Sequence, residues 1–169
     1  LLVLFLATFF GDAVPTTATQ WWTYGLGLVF LSLTGLLLVM DLDQPKRFLY
    51  VLLRPQWGSW LGKGGYTITV YGGLLTLLMA GLFFGWESMN EIALWITAAI
   101  AVLVAVYTAF LFGQAKGRDF WQSPTLAIHM LVHSFMAGAA ALALVALITN
   151  DNLGWTDFLA TVMALGIGV

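Results

Sequence analysis

Four apolar runs of about twenty residues each, 21–40, 65–85, 92–113 and 124–149, leave this chain few ways to fold. An α-helix rises about 1.5 Å per residue, so each run, coiled as a helix, covers the roughly 30 Å hydrocarbon core of a bilayer. Lipid offers no partner for a backbone N–H or C=O, which leaves helices as the economical way for such runs to cross it. The sequence therefore predicts an all-α fold, a polytopic transmembrane helical bundle. Composition argues against a soluble alternative, because 61% of the residues are hydrophobic and 8% are charged, against roughly 45–50% and 25% in a soluble domain.

The apolar stretches at the two ends, 1–10 and 158–169, are too short to span and read as truncated helices, giving four full spans plus two partial ones. Residues 1–169 are expected to form a single transmembrane domain that is a fragment of a longer polytopic chain. A signal peptide is the weaker reading of the first stretch, since no basic region precedes it.

Charge gives the orientation. Lys46, Arg47, Arg54, Lys63, Lys116 and Arg118 are all the cations of the chain, and they fall in two gaps, 41–64 and 114–123, which alternate counting puts on one side. The opposite gaps carry Asp12, Glu87, Glu91, Asp151 and Asp157 and no basic residue. By the positive-inside rule the basic gaps face the cytoplasm of a prokaryotic inner membrane. Basic residues confined to inner loops serve as topology signals or lipid-headgroup contacts and do not point to nucleic acid. Trp21, Trp22, Trp86, Trp121 and Trp155 stand at segment ends, where an indole rests its body in lipid and its N–H among headgroups.

Small residues mark places for close helix approach. Gly81 and Gly85 form a G-x-x-x-G pair, and the run from Ala137 to Ala141 is nearly smooth, which is read as packing within the subunit. The chain has no Cys, so it offers no thiolate for a disulfide, zinc or an iron–sulphur cluster, and such a centre would belong to a partner.

The inner gap 41–64 is long and aromatic. Pro45 suits a first helical turn and Pro55 a stop, which predicts a short helix lying in the cytoplasmic interface. Here the run Asp41-Leu42-Asp43-Gln44-Pro45-Lys46-Arg47-Phe48 resembles the Asp-Leu-Gly-Arg-Pro-x-Arg-Phe signature of the NrfD/PsrC family, the membrane subunits of polysulfide reductase and of related complexes such as alternative complex III. Asp43 and Gln44 stand where the family has Gly and Arg. The stretch from Pro55 to Gly65 resembles the family's entry into the next helix, and Tyr107-Thr108-Ala109-Phe110-Leu111 is similar to its Tyr-Thr-Gly-x-Leu. The likeness continues through Trp121 and Pro124 toward Leu144.

The resemblance implies an NrfD-like bundle that carries no haem or metal of its own and binds a quinone, menaquinone or ubiquinone, near one membrane face. It also implies electron exchange with an iron–sulphur subunit, coupled to a molybdopterin-type or related catalytic subunit. On that view the chain is a subunit of a quinone-linked respiratory oxidoreductase rather than a catalyst alone, with proton translocation as an added expectation. A quinone needs an apolar slot and groups that bond or protonate its oxygens. On the outer side Asp12, Gln20, Trp21, Glu87 and Glu91 qualify, although each also suits a solvated loop end.

Ionisable groups within a membrane are costly and point to function. His129 and His133 are one turn apart and share a helix face. That spacing lacks the further ligands of a zinc site, and it cannot supply both axial ligands of one haem. Their readings are neutral imidazoles hydrogen-bonded within the bundle or, with Asp41 and Tyr107, an inner-side proton relay. Two other classes stand beside the redox subunit: a secondary transporter or ion pathway, which the lack of any charge at the centre of a full run argues against, and a plain membrane anchor without its own quinone site.

Overall fold

The computed structural model describes residues 1–10, 16–40, 60–113, 125–149 and 156–167. Within them the chain is helical throughout: α1 (Leu2–Phe10), α2 (Thr17–Met40), α3 (Trp60–Phe84), α4 (Glu87–Gly113), α5 (Leu126–Thr149) and α6 (Thr156–Ile167). The expected interfacial helix after Pro45 lies outside the described residues, as do Asp12, Asp41, Trp121, Trp155 and every cation except Lys63.

The helix ends follow local chemistry. Helix α2 starts at Thr17, ahead of the expected Trp21, because Thr16 caps it: the Thr16 Oγ1 accepts the Thr19 N–H at 3.4 Å, and the Thr16 carbonyl accepts the Gln20 N–H at 3.0 Å. Helix α3 starts at Trp60, where Gly65 was expected. Gly62, Gly64 and Gly65 are buried in its first turns, so the packing gained by bare backbone overrides their poor helix propensity. The same helix ends at Gly85, whose φ of 69° is open to a residue without Cβ. There the Trp86 N–H reaches back to the Gly81 carbonyl at 3.0 Å, a Schellman closure that turns the chain into α4. Gly85 is thus a helix stop, and the G-x-x-x-G pair is not a packing pair.

Hydroxyls within the helices bond back one turn, as Thr23 does to the Thr19 carbonyl at 2.7 Å and Thr76 to the Gly72 carbonyl at 2.8 Å. Such bonds let a polar side chain sit in an apolar setting with its proton satisfied.

Helices α2, α3, α4 and α5 form a closed ring, each packed on the next and α5 returning to α2. Leu31 packs on Gly72 and Leu75 on Gly27, which makes α2 and α3 antiparallel. The ring of Tyr107 lies on Gly64 at the opposite end of the α3–α4 pair, so the zigzag continues. Helix α1 packs on α4 and α5, and α6 packs on α5. Val3, Leu4 and Ala7 of α1 are at most 1% exposed and share one core with Tyr24, Leu75, Leu78, Leu94, Ala139 and Leu142. A Cβ on Gly138 would sit 3.1 Å from Val3 Cγ2, so the smooth stretch of α5 is the seat of α1, packing within the subunit as its sequence predicts.

Among the described residues, Gly62–Phe84 and Leu126–Thr149 combine the length and apolarity needed to cross a membrane. Helices α2 and α4 are as long, at 24 and 27 residues, but begin with polar turns carrying Thr17, Thr19 and Gln20, or Glu87, Asn90 and Glu91. Large apolar side chains such as Phe30, Leu37, Phe83, Leu103 and Leu147 stand exposed on the outside of the ring, a surface suited to acyl chains.

Candidate functional site

At the end of the bundle where α2 starts and α5 stops, the outer end on the orientation expected from charge, polar side chains meet between helices. Capping by Thr16 fixes the first turn of α2 and buries Thr19 completely. The Thr19 hydroxyl then lies 3.2 Å from that of Thr16 and 3.4 Å from that of Thr149, the last residue of α5. Thr149 in turn donates to the Val145 carbonyl at 3.0 Å. This line of hydroxyls closes the ring by joining α2 to α5, and it holds the first two turns of α2 at a set height.

Gln20 and Trp21 follow Thr19 directly and are both half-buried. The carboxamide of Gln20 can donate and accept, and the indole of Trp21 can donate only. Their helix runs inward from there, so the two side chains sit where the apolar interior gives way to the polar loop side. One turn deeper, Tyr24 is 4% exposed within the core, a residue that the sequence did not single out. Its spacing of four from Gln20 was the available signal.

Glu91 is exposed on α4, a helix whose main neighbours are α3, α5 and α1 rather than α2. Gln20 and Trp21 are thus sequence neighbours on α2, and Glu91 stands on another side of the ring. Glu87 begins α4, but its side chain lies outside the described residues, and Asp12 does so entirely.

At the opposite end, expected to be the inner one, the four relay candidates are not assembled by any described contact. Tyr107 lays its ring against α3, with Cδ2 only 2.7 Å from where a Cβ on Gly64 would stand. His129 and His133 both lie on an exposed face of α5, in line with exposed Ala137 and Ala141. Asp41 falls outside the described residues. No group of three or more metal-ligating side chains occurs among the described residues.

Two cavities lie elsewhere in the bundle. One of about 180 Å³, between α1, α3, α4 and α5, has Tyr71 and Ser134 in its wall, and Ser134 already donates to the Met130 carbonyl at 2.9 Å. The other, about 270 Å³, is an apolar groove of Leu6, Val132, Phe135, Val162, Leu165 and Gly166. Neither touches Gln20, Trp21 or Glu91. As a donor set, Gln20 and Trp21 fit a neutral ligand with carbonyl or hydroxyl oxygens, which is what a quinone head offers.

Residues 17–153 match a protein family model described as polysulphide reductase, NrfD, a stretch that runs from the first turn of α2 to just beyond the end of α5. No curated protein and no solved structure matches the chain.

Proposed function

Because the chain belongs to the polysulphide reductase NrfD family, integral membrane subunits of quinone-linked oxidoreductases, we propose that it binds quinol or quinone at the outer end of its bundle and exchanges electrons there with an iron–sulphur partner. The family match over residues 17–153 carries this reading. The hydroxyl-braced start of α2 gives it a place, with Gln20 and Trp21 hydrogen-bonding the oxygens of the head group.

Oxidation of a quinol releases two electrons and two protons. The electrons pass to a cluster in the partner, since this chain has no Cys to ligate one. Gln20 and Trp21 do not take up protons at ordinary pH, so they orient the head group while carboxylates exchange its protons. Of the carboxylates expected on that side, Asp12 is nearest in sequence to the start of α2 and takes this role. Where protons cross the membrane, Asp41, Tyr107, His129 and His133 serve on the inner half. The partner, joined to a molybdopterin-type catalytic subunit, docks on the outer face of a prokaryotic inner membrane, with 41–64 and 114–123 in the cytoplasm.

The test is low-temperature EPR of the full-length protein, purified in mild detergent with its companions, before and after adding quinol. Iron–sulphur signals that are reduced by quinol, and that lose this response in Gln20→Ala, support the reading. A preparation with bound partner whose clusters ignore quinol removes it.

A further inference from the structure

Three side chains with a polar atom are buried among the described residues: Thr19, Thr97 and Tyr24. Two of them are satisfied, Thr19 by the neighbouring hydroxyls and Thr97 by the Ala93 carbonyl at 2.5 Å. Tyr24 alone of the three has no hydrogen-bond partner among the described residues, though it is 4% exposed and belongs to the same core as Leu75 and Leu78. A buried O–H left without an acceptor is costly, and phenylalanine would fill the same space at no such cost. The hydroxyl is therefore open to an acceptor other than the described residues.

Its position says what. Tyr24 is four residues after Gln20 and three after Trp21, so the three share one face of α2. Long side chains on a helix lean toward its N terminus, which on α2 is the outer end. The phenol of Tyr24 is thereby carried back over the turn that holds Gln20 and Trp21. We propose that Tyr24 is a further quinone-binding residue, its O–H donating to a head-group oxygen from the buried side while Gln20 and Trp21 engage it from the loop side. The proposal rests on the outer quinone site described above and adds to it the residue that sets how deep the head group sits. A phenol donates one well-directed hydrogen bond and stays neutral, so Tyr24 is a positioning residue for the ring and not the proton acceptor.

The experiment uses the intact complex and the fluorescent quinol analogue 2-heptyl-4-hydroxyquinoline N-oxide, whose binding is followed by quenching and needs no turnover. Tyr24→Phe removes one oxygen and no packing volume. The expected result is a Kd for the analogue raised about tenfold, the size of one hydrogen bond to a buried group, with a Tm that is unchanged or higher. An unchanged Kd overturns the proposal. An unchanged Kd with a lowered Tm overturns it too and assigns the hydroxyl to an internal water. Gln20→Ala separates the two levels: if it weakens binding while Tyr24→Phe does not, the outer site stands and Tyr24 is no part of it. If wild-type complex fails to bind the analogue, the quinone reading itself falls.

Discussion

Single side chains decide how closely these helices approach. Gly64 has no room for a Cβ beneath the ring of Tyr107, so Gly64→Ala is expected to destabilise the fold by about 1–3 kcal/mol, the usual cost of overpacking. Thermal unfolding in detergent measures this, and Tyr107→Ala in the same background should relieve much of it, since the two residues touch. The histidines behave oppositely. His129 and His133 are exposed, so alanine at either should shift stability by no more than about 0.5 kcal/mol. A larger loss in the same assay would mean that they are packed against another element in the assembled protein. Gln20 and Trp21 were visible in the sequence as polar and amphipathic groups at a segment edge, and both are half-buried in the structure. Tyr24 was not visible as a site, because a tyrosine near a membrane edge carries the same signal whether it is an interfacial anchor or an unpartnered core phenol.

The long helices were legible because their apolar runs are long and their stops are marked. The expected ends at Met40, Gly113 and Thr149 coincide with the observed ones. Starts were less legible, since the first turns of α2 and α4 are polar and read as loop, while that of α2 is held helical by the Thr16 cap. Gly85 carried an ambiguous signal: the same letter serves a close helix contact or a left-handed stop, and only φ tells them apart. Its substitution by alanine should cost about 1 kcal/mol through the forced positive φ. Thr19→Val should lose about 0.6 kcal/mol, the mean measured for a hydrogen bond between membrane helices. Equilibrium unfolding of each variant gives both figures, and a Thr19→Val protein as stable as the parent would mean that the hydroxyl line aligns α2 without strengthening the bundle.

For the molecule as a whole, the partition of cations between gaps is the feature that sets direction, and Lys63, exposed near the start of α3, is its described member. With no native Cys, Lys63→Cys gives this chain a single thiol. An impermeant maleimide should modify it in inside-out vesicles and leave it untouched in right-side-out ones; the reverse pattern would invert the orientation and move the proposed quinone end to the cytoplasm. Closure of the ring is the property that no local pattern announced, because it depends on Thr19 meeting a residue 130 positions away. That distance has a consequence in time. At translation rates of about 5–20 residues per second, α2 is made on the order of ten seconds before Thr149 leaves the ribosome. During that interval its polar outer turns have no α5 to lean on, while α3 and α4, joined by a tight turn, can already pair. The contact that closes the ring and shapes the proposed quinone end can therefore form only after α3 and α4 have both been made.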